Sequence, residues 1–315
     1  MIKFYSNKHI FFGISLVIML VGIVALFVNG VSLGLEFKGG SMIKYQFKGE
    51  LDLESIELIT TEKMDREATC QILEDNASDE TFLVISFAGN EGLSSEEQIK
   101  LEEVLLENFA DNELSLYETT VVQPFIGRRF LMNGIKAIAI AAVIITLYVW
   151  VRFRKIGGLS AGISALVALV HDCLIIFFIY IIFKIPLNEN FIAALLTIVG
   201  YSVNDTIVIY DRVRENMKLE PKAPLEELVD KSITQSLTRS INTALTTFVS
   251  ILIVSIFAIT KDINSIVTFA LPMCFGILSG CYSTICIAGP VWVWWKKYKE
   301  GRNSSGTKGI KAKKA

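Results

Sequence analysis

Apolar residues run in six long blocks along the chain. Residues 10–28 carry no charge and follow Lys3 and Lys8. Residues 131–151 carry only Lys136, near one end; 159–183 contain His171 and Asp172; 191–210 contain Asp205. Residues 241–259 are uncharged, with Arg239 just before them. Residues 266–295 close on Trp292, Trp294 and Trp295, which suit the aromatic belt at a bilayer interface. A bilayer core takes about 20 mostly apolar helical residues, so the blocks predict six transmembrane helices. The first block is longer than the apolar core of a signal peptide, and no small-x-small cleavage site follows in Phe27-Val28-Asn29-Gly30. It is expected to remain as an anchor.

The polar stretch between the first two blocks has shorter periods. Residues 41–47 alternate Met42 (with Ile43), Tyr45 and Phe47 against Lys44 and Gln46, a strand pattern. Residues 53–64 fit a short helix loosely, through Leu53, Ile56 and Ile59. Residues 68–73 and 81–87 read as strands across the turn-rich segment 75–79. Ser94 and Ser95 before Glu96-Glu97 give an N-cap signal, and Ile99, Val104, Leu105, Leu106 and Phe109 continue an amphipathic helix to about Ala110. Residues 114–122 form a last strand. The order β-α-β-β-α-β is the split, ferredoxin-like arrangement, and about 85 residues suffice for one modest core. The predicted fold class is an α-helical membrane protein of six transmembrane helices, with an α+β (ferredoxin-like βαββαβ) domain between helices 1 and 2.

Charge orients this picture. Residues 31–128 carry 21 acidic and 7 basic side chains, and the rest of the 315 residues carry 11 and 23, so the formal net of −2 joins two opposed parts. Such a split excludes a single soluble globule, a disordered chain and a basic-domain nucleic-acid binder. The N-terminus, the turn Arg152-Phe153-Arg154-Lys155, residues 212–239 and the tail from Lys296 are all basic, and all fall on one side of the six helices. By the positive-inside bias both termini are cytoplasmic and the acidic insert faces outward. The domains expected are a cytoplasmic N-terminus with helix 1 (1–30), an extracytoplasmic domain (31–128), helices 2–6 (129–295) and a basic, flexible cytoplasmic tail (296–315).

The usual catalytic signals are missing from the sequence. Five cysteines show no metal or disulfide spacing, only two histidines occur, and no Walker, GxGxxG or nucleophile-elbow motif is present. The chain is expected to be no enzyme and to need no cofactor. The informative residues are polar ones inside apolar helices, where an ionisable group costs about 2.5–3.5 kcal/mol at the centre on insertion scales. Asp205 lies roughly 8–9 Å from the cytoplasmic end of its helix at about 1.5 Å per residue. Tyr201 is one turn before it on the same face, and Arg239 enters the next helix at a matching depth. Asn242, Thr243, Thr246, Thr247 and Ser250 continue below Arg239 as one polar stripe, which also fits plain helix packing. Asp172 sits mid-helix and fits either a structural or a titrating role; His171 beside it points about 100° away. Asp211, Arg212 and Arg214 read as a cytoplasmic charge cluster.

Five segments resemble a known family in the expected order. Residues 199–216 (Val-Gly-Tyr-Ser-Val-Asn-Asp-Thr-Ile-Val-Ile-Tyr-Asp-Arg-Val-Arg-Glu-Asn) resemble the fourth-helix signature of the SecF protein-export membrane proteins. Residues 236–247 (Ser-Leu-Thr-Arg-Ser-Ile-Asn-Thr-Ala-Leu-Thr-Thr) resemble their fifth-helix signature. Residues 34–41 resemble the motif after the first helix, usually Gly-Ile-Asp-Phe-x-Gly-Gly, with Glu36 in place of the usual Asp. Residues 168–172 and 280–285 also match family-like segments, and the likeness covers roughly residues 10–295.

The resemblance implies a subunit that pairs with SecD, is related to RND transporters, and acts with the SecYEG channel, the SecA motor and often YajC. Such a unit would use the proton-motive force to pull or release translocating preproteins on the outer side of the bacterial cytoplasmic membrane. It implies proton movement at Asp205 and Arg239. Asp172 is a further candidate for ion coupling, and Tyr201, Asn204, Asn242, Thr243 and Thr246 are supporting polar positions. Gly39 and Gly40 are a hinge candidate below the outer domain. Burial favours a neutral acid and a guanidinium favours a carboxylate, so Asp205 is expected to alternate between a protonated form and an ion pair with Arg239. Sodium could replace the proton. Two other readings stay open: half of an RND-type small-molecule or lipid exporter, and a passive scaffold that stabilises SecD.

Overall fold

The computed structural model describes residues 3–34, 37, 39–49, 51–75, 80–88, 92–122, 124–261 and 263–299. Glu36 of the glycine motif, residues 76–79 of the predicted turn and the tail from Gly301 lie outside them.

Six helices are long and apolar enough to cross a membrane: α1 (Lys8–Asn29), α4 (Pro124–Arg152), α5 (Gly158–Ile182), α6 (Glu189–Leu219), α7 (Leu225–Thr260) and α8 (Asn264–Ser283, running on to Lys299). Helices α5, α6 and α8 form the buried centre, while α1 and α4 are peripheral and show most of their apolar surface outward. That outward surface is what a hydrocarbon environment accepts. Close approach at the centre depends on small residues: a Cβ on Gly276 would lie 2.7 Å from Ile198 Cγ1, and one on Gly280 would lie 3.3 Å from Ser202 Cβ. Helix α8 also contains Pro272 and a π-helical turn at Thr284–Ala288.

Helices α6 and α7 overrun their apolar blocks on the basic side and meet there as a hairpin. Val213, Val229 and Ile233 are buried along it, and Asn216 Nδ2 donates to Ser232 Oγ at 2.8 Å and to Gln235 Oε1 at 2.9 Å. The sequence pattern stopped these helices at the end of the apolar run; amphipathic packing carries them further. Phe4 joins the same core, which also contains Phe153, Tyr210 and Trp292. Trp292 was expected in an interfacial belt. It is instead fully buried, with Nε1 donating to Ser160 Oγ at 3.0 Å, whereas Trp294 and Trp295 are exposed.

The insert folds as β1 (Gly40–Phe47), α2 (Leu53–Met64), β2 (Ala68–Asp75), β3 (Glu80–Ala88), α3 (Ser95–Asn108) and β4 (Ser115–Val122). The sheet order is β2-β3-β1-β4 with every neighbouring pair antiparallel, so each β-α-β unit is split by a strand of the other. Ile43, Tyr45 and Phe47 on β1 and Leu83, Ile85 and Phe87 on β3 pack with Ile56, Leu101 and Leu105 of the helices. Ser94 caps α3 in a reciprocal capping box with Glu97, as Ser-x-x-Glu sequences favour.

The link into this domain is tied down. Gly34 N donates to Leu187 O at 2.7 Å, Leu187 N to Ser32 O at 2.9 Å, and Phe37 packs in the core beside Phe191. Gly39 (φ +81°) and Gly40 (φ +137°) turn the chain into β1 in a region that side chains disfavour. Gly40 is already paired with Ala88 and Val122, so any bend falls at Gly39 and before it.

Candidate ion-coupling site

Among the described residues, two carboxylates lie within the apolar blocks of the bundle, in separate polar groups on either side of α6. Asp205 faces α7. Ser240 Oγ donates to its Oδ1 at 2.6 Å, while Oδ2 is buried with no hydrogen-bond partner. Arg239 acts on it electrostatically but makes no ion pair with it within 4.0 Å among the described residues. Of the two states expected for Asp205, this structure therefore does not show the ion pair with Arg239. Ser240, the next residue on α7, is buried and takes the contact, while the Arg239 side chain is exposed at the helix surface. Tyr201, one turn earlier on α6, is half-buried near Asp205 and Cys281.

Asp172 faces α6 and α8 and is fully buried. Its Oδ2 accepts from Ser202 Oγ and Ser283 Oγ, both at 2.7 Å, and its Oδ1 from Ser279 Oγ at 2.6 Å. His171 Nδ1 lies 3.1 Å from Oδ1, so the imidazole curls back onto its neighbour despite the helical offset. His171 Nε2 is buried without a partner. The carboxylate thus has four contacts spread over three helices. Thr206 Oγ1 and Thr284 Oγ1 meet at 3.1 Å beside it, where the π-helical turn begins. Such turns recur at functional sites.

The structure does not bring the two carboxylates together: they share no hydrogen-bond partner. It also places much of the polar stripe outward. Asn204, Asn242, Thr243 and Thr246 are exposed on the surface of the bundle. Thr246 donates to Asn242 O at 2.9 Å, Thr247 to Thr243 O at 2.8 Å and Ser250 to Thr246 O at 2.8 Å, so these hydroxyls donate within their own helix, and Thr247 also meets the Tyr201 hydroxyl of α6. At the basic end, Asp211 bridges Arg152 at 3.0 Å and Arg214 at 2.8 Å, and Arg212 pairs with Glu215 at 2.6 Å. These contacts tie α4 to the α6–α7 hairpin.

Ser202, Ser240, Ser279 and Ser283 were not singled out from the sequence. A serine in an apolar helix reads equally as a small packing residue. The available signal was spacing: Ser279 and Ser283 are one turn apart on one face of α8.

The chain is 31% identical to the SecF protein translocase subunit of Petrotoga mobilis, over 92% of this chain and 94% of that one. It is 34% identical to the SecDF translocase subunit of Bacillus subtilis, over 93% of this chain but 38% of that one. A crystal structure of SecDF, a translocon-associated membrane protein from Thermus thermophilus, superposes with a TM-score of 0.76 at 29% identity, covering 94% of this chain and 39% of that one. This chain therefore spans about two fifths of the SecDF structure it matches. The SecD/SecF glycine-motif family matches residues 24–50, and residues 102–298 match the C-terminal family of SecD/SecF protein export membrane proteins; the chain belongs to the SecD/SecF family.

Proposed function

We propose that this multi-pass membrane protein is the SecF-type half of a SecD–SecF accessory complex of the Sec translocase. In this reading it lies in the bacterial cytoplasmic membrane with both termini inside, and assists the export of preproteins delivered through SecYEG by SecA, with YajC as a further partner. Neither covalent catalysis nor a cofactor is involved; an ion gradient supplies the energy. The fused SecDF relatives support SecD as the partner, and the exposed polar stripe of α7 gives it a surface to cover.

The single observation that carries the coupling role is the buried Oδ2 of Asp205, which among the described residues has no hydrogen-bond partner and lies near a guanidinium without an ion pair. An isolated buried carboxylate is costly, so that oxygen favours binding a proton or gaining a cation. Arg239 is close enough to supply the charge when the helices shift. One charge crossing 100 mV releases about 2.3 kcal/mol, enough to bias two packings of α6 against α7. The outer domain would follow through the segment between Phe37 and β1.

The test is Asp205→Asn in cells and in membrane vesicles. The variant should insert and pair with SecD normally, yet lose gradient-dependent stimulation of export. Unchanged stimulation would leave only a scaffolding role. Varying sodium at fixed pH assigns the ion: dependence on sodium replaces the proton in this scheme.

A further inference from the structure

The basic side of the α6–α7 hairpin holds a cavity of about 510 Å³ between Arg212, Glu215 and Lys218 on α6 and Gln235, Ser236 and Arg239 on α7. Its charges do not cancel. Asp211 is held by two guanidinia, those of Arg152 and Arg214, and Glu215 is taken by Arg212. Among the described residues, Lys218 and Arg239 have no ion-pair partner. Four cations and two carboxylates thus line the cavity, and both carboxylates are already used. Gln235 Oε1 is engaged by Arg212 Nε at 2.7 Å and Asn216 Nδ2 at 2.9 Å, which fixes the wall between the two helices.

The height of this cavity matters as much as its charge. Val208, in the apolar block of α6, lines its inner end, and Lys218, beyond that block, lines its outer end. The cavity straddles the level at which the apolar runs of α6 and α7 begin. Directly inward on the same face of α7, Asn242, Thr243 and Thr246 are exposed, whereas Ile241 and Leu245 are exposed on the other side of the helix. Surplus positive charge at the level where the apolar runs begin matches the headgroup of an anionic phospholipid. A free phosphate would use the charges but would not need them at that level.

We propose that this cavity binds the phosphate headgroup of an anionic phospholipid from the leaflet on the termini-bearing side. Lys218, Arg212 and Arg239 are the donors. The inference stands apart from the ion-coupling reading and does not need it.

The full chain, purified in mild detergent, is incubated with equal amounts of phosphatidylglycerol and phosphatidylcholine of the same acyl composition, and retained lipid is read by native mass spectrometry. Phosphatidylglycerol should be kept in preference. Lys218→Gln should weaken retention about fivefold, and the double variant with Arg212→Gln about 25-fold, the scale of one interfacial cation each. Lys222→Gln, on the same side but outside the cavity, should retain lipid like the unmodified chain, and matching circular dichroism melts keep misfolding distinct from lost binding. Equal retention of the two lipids, or unchanged retention by Lys218→Gln, overturns the proposal. Displacement by equal inorganic phosphate also overturns it and makes the ligand a soluble anion. Exclusion of phosphatidylglycerol from the complex with SecD overturns it in favour of a partner carboxylate.

Discussion

Asp172 and Asp205 are the same residue type in opposite settings, and the difference predicts how each fails. Asp172 is an acceptor for hydroxyls of Ser202, Ser279 and Ser283, which bind α5, α6 and α8 to one another. Removing it leaves several buried donors without an acceptor, each worth about 1–3 kcal/mol in protein interiors. Asp172→Ala should therefore destabilise the purified protein by at least about 2 kcal/mol, read as the midpoint of thermal unfolding in detergent. Asp205→Ala should cost well under that, because Asp205 has one donor and an unpaired oxygen. Equal losses would mean that the two sites share the structural load. In the sheet domain, burial first and then Glu57 push the Cys70 thiol up to about 12. Its alkylation at neutral pH should track unfolding of that domain, and prompt labelling of the folded protein would contradict the buried placement.

At the scale of elements, α3 depends on its first turn. Ser94→Ala should cost the sheet domain about 1 kcal/mol, measured by denaturant unfolding. Glu97 carries the other half of the box. The Ser94 backbone N–H is the main cause that holds its carboxyl below the usual range; the Ser94 hydroxyl, Arg66 and Lys100 add to this against the cost of burial. A carboxyl with a lowered folded pKa stabilises above its unfolded value, and the contribution fades as pH falls through the folded one. Acidification below the normal glutamate range should thus erase part of the difference between the unmodified domain and Glu97→Gln. In the membrane, Gly276→Val should cost about 1–3 kcal/mol by overpacking against Ile198.

The elements were the legible part of the sequence. Runs of about 20 apolar residues and a two-residue alternation are local signals, and they locate α1, α5 and β1 almost residue for residue. The extension of α6 and α7 was not legible, because Val213, Val229 and Ile233 are scattered among charges and find their core only in three dimensions. The same holds for Ser240 at Asp205. Its role follows from which residue of α7 turns inward, and Arg239 beside it carried the more conspicuous charge.

For the whole molecule, the charge split resolves into the acidic sheet domain at one end of the bundle and the basic helix ends at the other. What the single chain leaves unfinished is one side of α7. Asn242, Thr243 and Thr246 are exposed at the depth of the apolar block, with the threonine hydroxyls turned back onto their own helix. In lipid, Thr and Asn at a helix surface favour a second helix, because small polar side chains permit close backbone approach and interhelical hydrogen bonds. The helix that the proposed function would place there belongs to SecD. Thr243→Trp and Thr246→Trp put bulk on that surface without touching the buried centre, so each should keep the unfolding midpoint of the isolated chain while reducing co-purification with SecD. Single cysteines at the same positions should form disulfides with cysteines on the SecD helix that packs there. Asn242→Leu should weaken pairing less than either tryptophan, since a membrane hydrogen bond is worth about 0.6 kcal/mol on average whereas a steric clash separates the backbones. Undiminished co-purification of both tryptophan variants would place SecD against another face, with the peripheral α1 and α4 as the remaining surfaces to probe in the same way.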